Sequence, residues 1–210
     1  MTKKSLVNAL SALVVGAVVL TGCADENSEA GGPGMGHGGG MPSAGMPGGQ
    51  QGDHNQHDVA FAQQMIPHHA QAIEMARLAP ERTSTEKVLD LARRIEQAQD
   101  PEIQQMTTWL AAWGASVPTT APGHGGMGMD HGGMPGMMSA EEMRQLTQAK
   151  GAEFDRLFLT MMIEHHEGAV HMAQMELQHG SNTEARTLAQ RIIDTQQAEI
   201  DEMRGLLSQD

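Results

Sequence analysis

The chain has 210 residues and a formal net charge of -13 with histidines neutral, with 18 methionines, 11 histidines, one cysteine and no tyrosine. So acidic a chain repels nucleic acid and offers no polybasic patch to anionic lipid. One cysteine excludes an internal disulfide framework and any cysteine-rich metal cage.

Lys3 and Lys4 precede an apolar run from Leu6 to Leu20, which ends in Leu20-Thr21-Gly22-Cys23. This pattern predicts a bacterial lipoprotein signal peptide over residues 1–22, with cleavage before Cys23 and lipidation of its sulfur. The run is short for a transmembrane helix, which needs about 20 residues; an uncleaved anchor is the alternative. Either way the remainder is exported to the cell envelope. It is held at the outer face of the cytoplasmic membrane or at another envelope membrane. Lipidation consumes the only thiol, and loss of the leader removes two lysines and no acid.

Residues 23–57 are rich in Gly, Pro, Ser, Asn and Gln, with Met35, His37, Met41 and Met46 among them. They show no helical or strand period and read as a flexible tether. A first helix is expected from about His57 to Leu78, with Phe61, Met65, Ala72, Met75 and Ala76 at three- and four-residue steps and Pro80 and Glu81 at its end. A second opens near Thr83 with Glu86 as capping box and ends by Gly114. Pro101 inside it predicts a kink or break near Asp100. Residues 58–113 thus form one hairpin.

Residues 114–138 form a second flexible segment, with His124, Met127, Met129, His131, Met134, Met137 and Met138. Its glycine-rich spacing would let these donors wrap a soft ion weakly and exchange it quickly. A solvated linker is the plainer reading, and exposed methionines also absorb oxidants. Ser139 and Glu142 form the next capping box, opening one long helix to about Gln178 that His179-Gly180 closes. Ser181 and Glu184 open the last helix, so residues 139–208 form a second hairpin. Four helices with short turns and one longer crossover predict an all-α four-helix bundle.

The hairpins are copies. Asp58, Phe61, Met65, His68, His69, Ala72, Met75 and Ala76 recur 97 residues later as Asp155, Phe158, Met162, His165, His166, Ala169, Met172 and Ala173. Leu91, Ile95, Gln99, Glu102 and Met106 recur at the same offset as Leu188, Ile192, Gln196, Glu199 and Met203.

Met65, His68, Ala72 and Met75 share one helical face, as do Met162, His165, Ala169 and Met172. Adjacent histidines point about 100° apart, so one of each pair is expected to face the bundle and the other to flank it. The second copy adds His171, Met175 and His179 at four-residue steps. Small residues at 72, 76, 169 and 173 let helices approach. Thioether sulfur is soft and favours Cu(I), while imidazole serves both Cu(I) and Cu(II). Zinc gains little from methionine, and calcium and magnesium need oxygen ligands that the motif does not supply. Against this stands the ordinary reading that each Met is core and each His a hydrogen-bonded core residue.

The stretches from Asp58 to Ala76 and from Asp155 to Ala173 resemble the DUF305 family, over about residues 57–113 and 139–208. The resemblance implies a ferritin-like helical bundle, often exported, some members of which bind copper through His and Met and take part in copper resistance. It implies metal-ligand roles for Met65, His68, His69 and Met75, and for Met162, His165, His166 and Met172. Pro67 is matched by Glu164 and Glu74 by His171, which argues against two equal sites.

The expected function is therefore an extracytoplasmic copper-binding protein that buffers, sequesters or passes on copper, and not an enzyme. Its metal residues are Met65, His68, His69, Met75, Met162, His165, His166, His171, Met172 and Met175. Its partners are copper ions, the membrane through lipid on Cys23, and copper-handling proteins. A ferritin-like oxidoreductase is the runner-up, but di-iron sites need two Glu-x-x-His motifs and only Glu176 to His179 fits. A non-metal envelope stress or interaction protein is the third reading. Haem lacks a Cys-x-x-Cys-His attachment sequence.

Overall fold

The computed structural model describes residues 53–119 and 134–209. Five helices follow in order: α1 (Gln56–Arg82), α2 (Glu86–Ala112), α3 (Ala140–Gln148), α4 (Ala152–His179) and α5 (Thr183–Leu207). There is no strand among the described residues. α1 pairs with α2 and α4 with α5, and the two hairpins meet mainly through α1 and α4. The expected all-α architecture of two helical hairpins is what the chain adopts. The expected leader, Cys23 with its lipid, and the Met/His residues from Met35 to Met46 and from His124 to His131 lie outside the described residues. No helix among the described residues is long and apolar enough to cross a membrane.

Several boundaries differ from expectation. The long third helix is two helices, α3 and α4, separated at Ala149 to Gly151. Gly151 has φ 58° and ψ -138°, a conformation open to glycine and disfavoured for other residues. Its amide donates to the Arg82 carbonyl at 2.7 Å, tying the break to the end of α1. The Ser139/Glu142 capping box forms as read, but it opens only the short α3. α1 continues through Pro80 to Arg82, because proline in a final turn forfeits one bond and the Thr83 amide still reaches Ala79. α2 likewise runs through Pro101 unbroken. Pro101 is exposed, so the carbonyl it leaves unpaired, on exposed Gln97, faces water.

Two other capping expectations fail for one tertiary reason. α2 is capped at Thr85 without a side-chain bond, and Asn182 rather than Ser181 caps α5. The hydroxyls serve carboxylates of the opposite hairpin instead. Ser181 donates through N and Oγ to Asp58, joined by the Asn182 amide at 2.9 Å. Thr85 donates its hydroxyl to Asp155. Asp58 and Asp155 are repeat equivalents, so each copy of α1 or α4 holds the turn of the other hairpin.

The apolar core is in two parts. One gathers Ala72 to Ala79, Val88 to Ile95, Phe154 to Met162, Ile200 and Met203. The other gathers Phe61 to Ile66, Met106 to Leu110, Ala169 to Ala173 and Ala185 to Ile192. The residues between them on α1, α2, α4 and α5 include eight buried or half-buried polar side chains: His68, His69, Gln99, Glu102, His165, His166, Gln196 and Glu199. A polar belt therefore crosses the middle of the bundle.

Candidate metal centre

All four repeated histidines are fully buried. Neither member of a pair reaches the surface. The pairs divide their tasks differently. His68 and His165 meet across the two hairpins, with ring centroids 3.8 Å apart and planes tilted by 41°. His69 and His166 turn toward the sister helix of their own hairpin. Each meets a glutamate there: His69 Nε2 to Glu102 Oε2 at 2.8 Å, and His166 Nε2 to Glu199 Oε2 at 2.7 Å.

Those partners decide the tautomers. A carboxylate only accepts, so the Nε2 of His69 and of His166 carries the proton and donates. The Nε2 of His68 lies 3.1 Å from the Pro135 carbonyl oxygen and must donate as well. The Nδ1 atoms of His68, His69 and His166 have no hydrogen-bond partner. His165 has no partner at either nitrogen. Burial, then repulsion from the neighbouring histidines, holds the His68 imidazole down to about 3 and His165 well below its ordinary value. Both rings are neutral at pH 7. Buried imidazoles held at one nitrogen by carboxylate or carbonyl, with the other nitrogen unpartnered, are the arrangement found behind metal ligands.

The methionines fall into place by crossing between copies. Met65 and Met172 belong to one half of the core, and Met75 and Met162 to the other, with Met161 beside them. The antiparallel approach of α1 and α4 thus sets the first Met of one motif near the last Met of the other. Each half of the core thus holds methionines from both hairpins. His171 and Met175 lie apart, exposed at the surface. Among the described residues, no three His, Cys, Asp or Glu side chains converge as a ready ligand group.

A short strap breaks the two-fold equivalence. Gln71 clasps Met138, donating from Nε2 to its carbonyl at 2.9 Å and accepting from its amide at 2.8 Å. Pro135 and Gly136 lie on α4 at Gly168, where a Cβ would collide with the Pro135 carbonyl. Glycine at 168 therefore permits the approach that sets this carbonyl on His68. His165 has no such cover.

Glu176 is buried, and neither oxygen finds an N–H or O–H donor. Burial, then the facing carboxylate of Asp58, pushes its carboxyl up to about 8. Burial alone would raise Asp58. The bond from protonated Glu176 and the amides of Asn55, Asn182 and Ser181 outweigh that and hold it below its usual value. The two acids share one proton. Between the ordinary glutamate range and about pH 8 the folded chain keeps a proton that the unfolded chain has released, so stability falls as pH rises through that window. Glu176→Gln, whose amide donates to Asp58 without a proton, is expected to remove this slope. Urea unfolding at pH 6 and pH 9 checks it; an equal slope in both proteins would refute the shared proton.

Glu102, Glu199, Gln99 and Gln196 were not singled out as site residues from sequence. The signal was present: polar residues recur at offset 97 on the apolar stripes of α2 and α5. The lone Glu-x-x-His of the di-iron alternative ends in exposed His179, and its Glu176 is committed to Asp58.

The fold and site define a duplicated helical-hairpin bundle whose apolar core is interrupted by a belt of buried histidines. The chain belongs to the DUF305 family, a domain of unknown function, whose model matches residues 58–207. It is similar to a DUF305 protein from Streptomyces coelicolor, at 35% identity over 73% of this chain and 93% of that one, with a TM-score of 0.65. A DUF305 fragment from Deinococcus radiodurans matches at 33% identity over 74% of this chain and 98% of that one, with a TM-score of 0.66. CopM in its Cu(II)-bound form matches at 34% identity over 72% of this chain and 96% of that one, with a TM-score of 0.60. CopM in its Cu(I)-bound form matches at 32% identity with a TM-score of 0.59. No curated protein matches the chain.

Proposed function

We propose that this chain is an exported copper-binding protein that holds Cu(I) in the histidine belt and buffers, sequesters or passes it on without catalysis. The observation that carries this is the set of buried Nδ1 atoms of His68, His69 and His166 that have no hydrogen-bond partner among the described residues. Leaving such groups unpaired costs about 1–3 kcal/mol each, a cost that a soft, low-charge cation repays. His68, His69, His165 and His166 would supply nitrogen. Met65 with Met172, and Met75 with Met162, would supply thioether from the two sides. Neutral donors avoid burying uncompensated carboxylates, and sulfur selects Cu(I) over hard ions. Similarity to CopM, which has been crystallised with Cu(II), Cu(I) and silver, supports the same ion class. The leader and Cys23 support export and a lipid anchor.

Purified protein is expected to retain Cu(I) anaerobically against a chromophoric chelator; full loss to a weak competitor would remove the proposal. Glu199→Gln keeps the shape but no longer fixes the His166 tautomer. It is expected to weaken Cu(I) binding about 10–100-fold, the usual cost of losing such a support. The same titration reads it, and an unchanged affinity would mean that His166 is not a ligand.

A further inference from the structure

A second group of donors lies at one end of the bundle, away from the belt. His57 stands in the first turn of α1, and His179 is the last residue of α4. Both are exposed. Their ring centroids are 5.1 Å apart with planes tilted by 33°. Two imidazoles bound to one ion through bonds of about 2.0–2.1 Å set their centroids roughly 4.5 Å apart at the right angle of a tetragonal Cu(II) site and roughly 5 Å apart at a tetrahedral angle. The exposed pair needs at most a small side-chain adjustment to reach either.

The backbone beneath it is fixed by one side chain. Asn55 Oδ1 accepts from the His57 amide at 2.7 Å, and Asn55 Nδ2 donates to the His179 carbonyl at 2.9 Å. Asp58, one residue beyond His57, holds Ser181 and Asn182, which follow His179 closely. Little main-chain order remains to be imposed when an ion binds. A third donor is at hand. Met175 is one turn before His179 and is 41% exposed, one of two large apolar side chains so exposed among the described residues. Met175 and His57 also line a cavity of about 250 Å³ with His171, Met172 and Pro135. Pro135 is the residue whose carbonyl covers His68.

We propose that His57 and His179, supported by Met175, form a second, solvent-facing site for a divalent transition-metal ion, with Cu(II) the ion of highest affinity. Imidazole suits Cu, Ni and Zn, and the affinity order of divalent ions favours Cu(II). Open positions remain for water, which a divalent ion accepts and a buried belt does not offer. The site stands independently of the Cu(I) reading for the belt. An ion there staples the start of α1 to the end of α4, so it stabilises the folded chain by mass action.

The test adds Cu(II) alone, at one equivalent, to the full-length protein freed of metal. Paramagnetic resonance and thermal unfolding follow it. The expected result is a two-imidazole nitrogen pattern and a raised Tm. His57→Ala and His179→Ala should each weaken binding by more than about tenfold and remove the Tm shift. His54→Ala and the pair His124→Ala and His131→Ala should leave both unchanged. The same spectrum and Tm shift in the His57→Ala/His179→Ala protein would overturn the site. So would loss of both in the His124→Ala/His131→Ala protein. Silver(I) uptake by His57→Ala/His179→Ala, compared with uptake after His68→Ala and His165→Ala are added to it, reports on the belt and separates failure of one site from failure of the other.

Discussion

His165→Leu is expected to make the ion-free protein more stable while removing its Cu(I) site. His165 is fully buried with no partner at either ring nitrogen. An unsatisfied buried polar group costs about 1–3 kcal/mol, and replacing it with an apolar group of similar shape recovers part of that. The expected gain is about 1–2 kcal/mol, read by urea unfolding. The expected loss of Cu(I) affinity exceeds about 100-fold, since even an outer-shell partner is worth roughly 10–100-fold. A histidine kept for structure behaves in the opposite way. Its removal breaks a network and lowers stability, and Cu(I) affinity stays where it was. Proteins commonly hold such strained groups where function requires them.

The second large effect is on stability alone. Asp58→Ala removes the acceptor for the Ser181 amide at 3.0 Å, the Ser181 hydroxyl at 3.1 Å and the Asn182 amide at 2.9 Å. It also leaves the buried Glu176 carboxyl facing no partner. With three bonds to one carboxylate lost together, the cost is about 3 kcal/mol, which for a domain of this size lowers Tm by roughly 6–12 °C. Asp155→Ala tests the same position in the other copy. Asp155 accepts one hydroxyl, from Thr85, and its Oδ1 has no partner, so about 1 kcal/mol is expected. Thermal unfolding by circular dichroism compares the two. Equal losses would mean that the clamp at Ser181 and Asn182 carries none of the difference.

Much of this was legible before any coordinates. The constant offset of 97 exposed two hairpins, and helical periodicity placed Met65 and Met162 on inward faces but left open which histidine of each pair joins them. What escaped was set by contacts between hairpins. Thr83 and Ser181 have good local capping spacing, yet Asp155 and Asp58 from the opposite copy recruit the neighbouring hydroxyls and amides. The break before α4 depends on Gly151 and its bond to Arg82, which no local pattern announces. Pairing of Met65 with Met172 follows from the antiparallel register of α1 on α4, and repeat spacing alone groups each methionine with its own copy. Gln99 and Glu102 were different. They continue the stripe of Leu91 and Ile95 at helical steps, so a buried polar belt was readable there.

The proposed function rests on a soft ion held by imidazole inside the bundle. X-ray absorption at the copper edge of the protein loaded with one equivalent of Cu(I) reads those ligands. The expected result is a nitrogen-containing shell with imidazole scattering, with or without sulfur, that disappears in the His68→Ala/His165→Ala protein. A shell of sulfur alone, the same in both proteins, would contradict it and assign the ion to methionines outside the belt.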